Sequence, residues 1–400
     1  MLFPIRDGGS IFTPTTQHSG LSSLQTEMAT QQVSIVGAGI AGLVLGRALA
    51  RRGVPAIIYE KNSQQQFAKR HGYGITLQQT AYCHLLPLLG LSEIDFRAKF
   101  AVDAHEGGIG LVNQHDSTDC RLNRHKLEKA LVSDLSVKWE HGLQKITPSS
   151  DGLQLALSNG ESVRSSITVG TDGPHSACRV AIAPDAAFDI LGYVVFNGKR
   201  RISNEDYTAH LAPHLGSGTT VMQRHIGSVL LEVKLDDIGD EVTSLSYTFS
   251  RPAHQNDVLF TPNRSKSDAT TIPEELYEEI AGLESSIDAP FRYVFNVETM
   301  RKDRLLSWLM RSVSVELDAL TAGANKGVVL IGDAAHHGPI LGSYGANEAI
   351  LDAVMLATHL AEPETTTLHS FYTHSYPRWA KEGEDGMARL AQMHQVSPRL

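Results

Sequence analysis

Three glycines near the beginning of the chain have the spacing of a phosphate-binding turn. Gly37, Gly39 and Gly42 follow the apolar segment Val33–Val36 and open residues 40–52, whose apolar side chains recur at helical spacing. In such a turn the first glycine allows the bend, the second lets a pyrophosphate approach the backbone, and the third lets the helix pack on the strand. The beginning of the helix would then offer free amides to the phosphates.

An acidic residue follows the next apolar segment. Residues 54–59 read as a second strand, and Glu60 comes directly after them. A carboxylate at the end of this strand accepts hydrogen bonds from a ribose diol and would repel a 2′-phosphate. Strand, helix, strand and acid together predict a dinucleotide site that disfavours NADP.

A late Gly-Asp pair indicates that the chain returns to the same nucleotide. Residues 326–331 read as a buried strand that leads into Gly332 and Asp333, and a helix is predicted to begin at Gly345-Ala346-Asn347. A carboxylate at the carboxyl end of a strand can accept a hydrogen bond from a ribityl hydroxyl. The helix amides could face a flavin edge that becomes negative on reduction.

Two other polar motifs are less specific. Asp172-Gly173 follows an apolar strand and precedes Ser176 and Arg179, but an Asp-Gly pair alone is also an ordinary turn. His336-His337 has no acid or cysteine at metal-ligand spacing, so we expect histidines that pack or face solvent, and no metal.

Composition narrows the class of protein. A chain of 400 residues with a net charge of −9 is long enough for two domains and lacks the basic surface of a nucleic-acid-binding protein. Its three cysteines are far apart, which indicates reduced, buried thiols and a cytoplasmic setting. No apolar run is long enough for a membrane anchor, and residues 1–31 read as a disordered tail.

The remaining periodicities predict a mixed α/β protein. Residues 122–135 read as a helix and 143–169 as a β-meander. In the middle of the chain we predict strands over residues 191–198, 219–224, 229–235 and 242–249, and helices over 273–283 and 304–317. Residues 346–360 read as a further helix.

At this point the sequence resembles the class A FAD-dependent monooxygenases, the p-hydroxybenzoate or salicylate hydroxylase-like family, over about residues 32–378. Its glycine fingerprint, ribose acid, Asp-Gly and Gly-Asp motifs match the residues above, and its Arg-x-x-Leu-x-x-x-Leu motif matches Arg124, Leu127 and Leu131. The resemblance implies that FAD is held by Gly37, Gly39, Ile40, Ala41, Gly42, Glu60, Lys61, Gly74, Arg124, Asp172, Gly173, Gly332, Asp333, Gly345, Ala346 and Asn347.

The resemblance also implies an architecture. We expect a Rossmann-type α/β FAD-binding domain made of residues 32–184 and 311–380. An inserted mixed-sheet substrate domain would span residues 185–310, and a C-terminal tail or helix would span 381–400. The oligomeric state is left open.

The chemistry implied by the family needs NAD(P)H as a transient reductant and O2. A flavin C4a-hydroperoxide would transfer one oxygen atom to an aromatic, polyketide or alkaloid-like small molecule, and the other oxygen would leave as water. Phenol hydroxylation would need a base or hydrogen-bond acceptor on the phenol, and the polar candidates on the predicted strands are Tyr193, Arg224, His225, Tyr247 and Arg251. We favour Tyr193, Arg224 and Tyr247 as catalytic residues, because they fall in or at the edge of those strands. Ordinary sheet polarity is the alternative for each.

One segment departs from the family pattern. After Asp333, the proline and the first glycine of the motif each come one residue early, at Pro339 and Gly342, and Tyr344 replaces a small or polar residue. The form resembles a fungal secondary-metabolism subgroup. Two alternatives stay open. One is a same-fold FAD-dependent reductase, and the other, because Tyr344 could crowd the site where flavin meets oxygen, is a flavoprotein that binds FAD but has lost oxygenation.

Overall fold

The computed structural model describes residues 32–70, 72–112, 118–150, 152–362 and 367–394. The expected N-terminal tail and the last six residues lie outside these ranges. The strands, in chain order, are β1 Val33–Val36, β2 Ala56–Glu60, β3 Gly74–Leu77, β4 Cys120–Asn123, β5 Val137–Trp139, β6 Leu143–Ser149, β7 Gly152–Leu157, β8 Ser162–Ser165, β9 Ile167–Gly170, β10 Asp189–Ser203, β11 Val221–Ile226, β12 Val229–Ile238, β13 Val242–Pro252, β14 Arg304–Ser314, β15 Val328–Leu330 and β16 His336–His337.

The helices range from single turns to a rod of 26 residues. In chain order they are α1 Ile40–Arg51, α2 Gln64–Ala68, α3 Gln79–Tyr82, α4 Leu85–Leu89, α5 Glu93–Phe100, α6 Arg124–Val132, α7 Ala177–Ile182, α8 Asn204–His210, α9 Glu274–Leu283, α10 Ala289–Val294, α11 Val297–Met300, α12 Leu317–Asn325, α13 Gly345–Ala361 and α14 Leu368–Met393.

A parallel sheet with the order β15-β9-β1-β2-β5 forms the centre of one half of the molecule, to which both early and late segments of the chain contribute. All four residues of β1 are buried, because a parallel sheet is covered on both faces. Helix α13 packs along α1 on this sheet. The late strand β15 joins the sheet beside β9, so a late segment of the chain lies in one sheet with the early strands β1 and β2, and the expected α/β fold is confirmed.

An antiparallel sheet with the order β11-β12-β13-β10-β14-β16 forms the second half. One face of this sheet packs under the helices of the middle segment, in a core that includes Phe196, Tyr247 and Phe249. Two smaller antiparallel sheets, β3-β4 and β6-β7-β8, lie outside the large ones. The four strands predicted in the middle segment are confirmed, each with slightly shifted ends.

The helix predicted over residues 304–317 is wrong, because residues 304–314 form β14. This strand lies between β10 and β16 in the sheet interior. The apolar residues of this strand, at positions 305, 306, 308–310 and 313, do not alternate strictly and fit helical spacing equally well. The domain boundary predicted after residue 310 falls inside this strand, and the domain limits stay a prediction.

A smaller correction concerns the predicted helix over residues 122–135. Its first two residues lie in β4, and α6 begins only at Arg124, because the Asn123 side chain caps it by accepting a hydrogen bond from the Lys126 amide at 3.1 Å. The β-meander is confirmed up to β8, whereas β9 leaves it to join the parallel sheet.

Candidate functional site

The turn after β1 has the geometry that its glycines predict. Gly37 has a φ of +107°, and a β-carbon there would lie 2.7 Å from the Thr171 carbonyl oxygen. A β-carbon on Gly42 would lie 2.0 Å from the Gly37 carbonyl oxygen, whereas one on Gly39 would meet no atom within 4 Å. The fold itself therefore requires Gly37 and Gly42, and Gly39 leaves open space at the beginning of α1.

Helix α1 begins at this open space without a side-chain cap. Its N-cap residue is Gly39, and the first backbone hydrogen bond of the helix runs from the Leu43 amide to the Gly39 carbonyl at 2.9 Å. The amides of Ile40 and Ala41 precede that bond and point out of the end of the helix. A helix end of this kind attracts a phosphate.

Glu60 lies against the same turn, as predicted from its position after the second strand. Its side chain is buried, and one carboxylate oxygen accepts a hydrogen bond from the Ala38 amide at 2.8 Å. The other oxygen accepts hydrogen bonds from the Asn62 side chain at 2.6 Å and from Arg70 at 3.2 Å. Lys61, the next residue, is exposed to solvent.

The Asp-Gly motif stabilises the late Gly-Asp turn through helix α7. The Asp172 carboxylate accepts hydrogen bonds from the Ser176 hydroxyl at 2.5 Å and the Ala177 amide at 2.7 Å at the beginning of α7. Burial raises the pKa of Asp172, although these donors oppose the shift. Arg179 then donates to the carbonyl oxygens of Asp333 and Ala334 at 3.3 and 3.2 Å. The motif thus fixes the late Gly-Asp turn, and Gly173 has the positive φ of +79°.

The late Gly-Asp turn lies directly beside α1. Gly332 has a φ of +57°, and a β-carbon there would lie 3.4 Å from the β-carbons of both Ala41 and Ala349. One oxygen of Asp333 lies 3.4 Å from the position of a β-carbon on Gly345, so the carboxylate sits at the beginning of α13. Two helix N-termini and a carboxylate therefore converge, as the sequence predicts.

Two neighbouring histidines affect the pKa of Asp333. Burial acts to raise the pKa of Asp333, but His337, whose ring nitrogen lies 3.3 Å from the carboxylate, and His336 outweigh it, so the pKa lies below its ordinary value. The carboxylate is then ionised at neutral pH and serves as an acceptor.

Asn347 connects the beginning of α13 to β3. Its side-chain oxygen accepts a hydrogen bond from the Gln78 amide at 2.8 Å, and its nitrogen donates to the Thr76 carbonyl at 3.3 Å. Ala346 lies beside it, half-buried.

Gly74 and Arg124 lie where the two halves meet. The Gly74 amide donates to Asp236 of β12 at 2.7 Å, and a β-carbon on Gly74 would collide with the Arg121 guanidinium. Arg124 is bonded to Glu128 at 2.8 Å and to the hydroxyl of Tyr73. Their role in holding FAD stays a prediction.

A buried cluster behind the Gly-Asp turn was missed from the sequence. Asp352 of α13 is fully buried and accepts hydrogen bonds from the Gly332 amide at 2.9 Å, His336 at 2.7 Å, Trp379 at 2.7 Å and Arg378 at 2.6 Å. Burial alone would raise the pKa of Asp352, but His336 and Arg378 outweigh it and lower the pKa. Only the spacing of Asp352 after Asn347 on the same helix could have pointed to it.

The three favoured candidates for catalysis, all on strands of the antiparallel sheet, differ in burial. Tyr193 is half-buried on β10, with its ring 4.8 Å from that of His394, and Arg224 is exposed on β11. Tyr247 is buried in the core of the middle segment, where its hydroxyl donates to Asp303 at 2.6 Å. Burial and Asp303 raise the pKa of Tyr247, so its hydroxyl stays protonated. This setting favours a packing role for Tyr247.

Other expectations concern metals, thiols and membranes. His336 and His337 are both half-buried, and in the described part of the chain no group of three or more His, Cys, Asp or Glu side chains could hold a metal ion. Cys120 and Cys178 are buried, but Cys83 is exposed, which corrects the expectation that every thiol is buried. Among the same described residues, no helix is long and apolar enough to cross a membrane.

These residues fit an FAD. The open space at Gly39 would receive the pyrophosphate, and the Glu60 carboxylate would bind the adenosine ribose. Asp333 would bind a ribityl hydroxyl. All three residues lie at the same edge of the parallel sheet. Bound FAD would supply the redox-active ring.

Comparisons with known proteins agree with this fit. A family model described as an FAD binding domain matches residues 30–187 and 217–382. The FAD-dependent monooxygenase aptC of Emericella nidulans is 29% identical over an alignment of 405 positions, gaps included, that covers 91% of this chain and 96% of aptC. The FAD-dependent monooxygenase vrtH of Penicillium aethiopicum is 30% identical over 363 residues, 85% of this chain and 86% of vrtH.

A solved structure extends the likeness to the fold. CtdE in complex with FAD and its substrate 4 superposes with a TM-score of 0.69 at 15% identity, over 92% of this chain and 90% of CtdE. The chain therefore belongs to the FAD-dependent monooxygenase family that shares this FAD-binding domain, in the subgroup of fungal secondary metabolism.

Proposed function

We propose that this protein uses NAD(P)H and O2 to oxygenate an aromatic, polyketide or alkaloid-like small molecule through bound FAD, in the cytoplasm. The observation that carries the proposal is the convergence of the glycine turn, Glu60 and Asp333 on one edge of the parallel sheet. When bound there, FAD would supply the ring that takes electrons from NAD(P)H and passes them to O2.

The residues of the chain would bind and orient. The first amides of α1 would hold the pyrophosphate, and the open position at Gly39 would let it approach the backbone. Asp333, ionised beside His337, would accept a ribityl hydroxyl and hold the ring end of the cofactor. The beginning of α13, adjacent to Asp333, would stabilise negative charge that develops on the ring during reduction.

The substrate would lie against the face of the antiparallel sheet that is opposite the helices of the middle segment. On that face Tyr193 and Trp308 are half-buried, and a small apolar cluster joins Val195 and Met310 to Leu341 of the segment after Asp333 and to Leu390 of α14. An apolar wall with one phenol group suits an aromatic molecule that carries a few polar substituents. Tyr193 is accordingly the favoured contact of the three candidates. Arg224 pairs with Leu231, whose own partner Phe249 belongs to the helix-covered core, so Arg224 lies on the other face of the sheet and is not favoured as a contact.

A cationic cluster around Phe188 supports a nicotinamide dinucleotide as reductant. The guanidinium of Arg311 lies 4.5 Å and that of Arg179 lies 5.3 Å from the centre of the Phe188 ring. His175 lies 3.1 Å from Arg311, and burial and then Arg311 lower the pKa of that histidine. His337, the partner of Asp333, contacts the same ring edge-on at 6.2 Å. Cations at this place would attract the phosphates of NAD(P)H.

The first test is anaerobic stopped-flow absorbance of the FAD-loaded protein with NADPH and with NADH, followed by an oxygen pulse in the presence of aromatic substrates. We expect bleaching of the oxidised flavin by a nicotinamide, then substrate-dependent oxygen uptake. A flavin that neither nicotinamide reduces with any substrate present would overturn the proposal.

A matched pair of variants tests the reductant. Arg311→Gln is expected to slow anaerobic reduction by about 10- to 100-fold, because charge-assisted hydrogen bonds contribute roughly 1.5–3 kcal/mol. Arg301→Gln is the control, since Arg301 also lies over a ring, that of Tyr277 at 4.2 Å, but at the helical cover of the middle segment. Equal reduction rates in both variants would remove the cluster from the proposal.

A further inference from the structure

The segment that departs from the family pattern, residues 338–344, packs directly on the long helix α14. Gly342 has a φ of +90°, and a β-carbon there would lie 2.7 Å from the Gly386 carbonyl oxygen and 2.9 Å from the Leu390 amide. From the other side, a β-carbon on Gly386 would lie 3.4 Å from that of Ser343. The shifted glycine therefore allows the backbone of this segment to touch the backbone of a helix.

Two charged residues of α14 hold the same segment. Glu382 accepts a hydrogen bond from the Tyr344 amide at 2.9 Å, and Tyr344 is the N-cap residue of α13. Arg389 donates to Glu382 at 2.6 Å and to the Gly342 carbonyl, and its guanidinium lies 4.5 Å from the centre of the Tyr344 ring. Tyr344 is thus in contact with α14.

Helix α14 is itself anchored to the FAD-binding half independently of this segment. The Tyr372 hydroxyl donates to the Leu330 carbonyl at 3.3 Å and accepts from its amide at 2.8 Å, and Trp379 donates to the buried Asp352 at 2.7 Å. Because these anchors fix the helix, the contacts of Glu382 and Arg389 transmit a fixed position to the segment.

We propose that Glu382 and Arg389 are positioning residues that place the beginning of α13, through Tyr344 and Gly342, against the bound cofactor. The inference rests on the proposed function, since the turn they fix adjoins Asp333. Tyr344 occupies the position at which the family pattern has a small or polar residue, and its side chain connects this turn to α14. The unusual sequence is a change in how the turn is held, and it gives no reason to expect lost oxygenation.

The expected consequence is a change in the flavin as well as in stability. A helix N-terminus stabilises negative charge, so displacement of α13 would stabilise reduced flavin less and make the midpoint potential of the bound flavin more negative. It would also weaken FAD binding by about 10- to 100-fold, the size of one charge-assisted hydrogen bond. A merely structural role would lower the melting temperature and leave the potential unchanged.

The experiment compares Glu382→Ala and Arg389→Ala with Lys381→Ala and Asp385→Ala. The control pair is an exposed ion pair of the same helix, 2.8 Å apart. FAD dissociation constants are measured from flavin fluorescence, and midpoint potentials by dye equilibration. We expect both values to shift in the first pair and to equal those of the unaltered protein in the second. Arg389→Lys should restore part of the shift.

A glycine pair gives a second, independent comparison. Gly342→Ala should weaken FAD binding because its β-carbon meets the α14 backbone, whereas Gly383→Ala, with no atom within 4 Å, should not. Potentials and dissociation constants that stay unaltered in Glu382→Ala, Arg389→Ala and Gly342→Ala would overturn the inference. Failure of the proposed function is distinguishable, because it would appear as absent oxygen uptake in the unaltered protein while these flavin measurements still differ.

Discussion

The two halves of the molecule provide chemistry in different ways. In the FAD-binding half the candidate site is made mainly of backbone, with glycines that permit close approach and amides at two helix ends. In the antiparallel sheet the candidates are side chains, Tyr193, Arg224 and Tyr247, and they lie half-buried, exposed and buried respectively. A site made of backbone needs particular residue types at fixed spacing, whereas a site made of side chains needs only that a few of many polar residues face inward.

The same contrast separates two glycines in one turn. Gly42 is required by the protein's own packing, whereas a β-carbon on Gly39 would meet no protein atom within 4 Å, so only a bound ligand would require a glycine there. Substitutions at these positions should therefore separate folding from cofactor binding, which is the sharpest test of the comparison.

The largest effect is expected for Gly42→Ala. Its β-carbon would lie 2.0 Å from a backbone carbonyl, which no rotamer can relieve, so we expect a loss of at least about 3 kcal/mol in the free energy of unfolding. Gly39→Ala should unfold like the unaltered protein without FAD but bind FAD far more weakly. Chemical denaturation and FAD titration of both variants make the measurement. Equal unfolding free energies in the two variants would break the distinction.

A smaller effect should separate the two tyrosines of the sheet. Tyr247→Phe removes a buried hydrogen bond to Asp303, which keeps its pair with Arg200 at 2.6 Å, so we expect about 1.5 kcal/mol of lost stability and unaltered flavin reduction. Tyr193→Phe should leave stability nearly unchanged and lower kcat/KM for the substrate. Steady-state kinetics and denaturation check the pair, and the opposite pattern would make Tyr247 the functional residue.

The smallest effect concerns the end of α14 on the substrate sheet. His394 is buried, with one ring nitrogen 2.8 Å from the Leu390 carbonyl, which can only accept, so that nitrogen carries the proton. The other nitrogen then accepts from the Ser250 hydroxyl at 2.9 Å. Burial lowers the pKa of His394 below its ordinary value, and its neighbour His225 adds to the shift.

A lowered pKa fixes the sign of the pH dependence. The stability contributed by neutral His394 is complete above the ordinary histidine pKa of about 6.5 and is lost as the pH falls through the lowered folded value. His394→Gln should therefore flatten the acid side of the stability profile measured by urea unfolding from pH 8 to 5. Identical profiles would show that His394 does not contribute to it.

The sequence by itself determined the nucleotide-binding elements of the FAD-binding half to within a residue or two. Strand β1 and helices α1 and α13 begin at or within one residue of where their periodicity placed them, and Gly37, Glu60 and Asp333 lie on one edge as their spacing required. These features are local: a glycine with positive φ, an apolar run and a cap each act through neighbours in the chain.

Only the tertiary structure decided the rest. Residues 304–314 became a strand because β10 and β16 pair with them on either side, and Asp352 became the centre of a buried cluster because α14 brings Arg378 and Trp379 to it. Tyr344, which the sequence suggested could crowd the cofactor, lies beneath Arg389. Each outcome depends on residues that are distant in the sequence, and the local sequence pattern does not specify which of these will pack against a given segment.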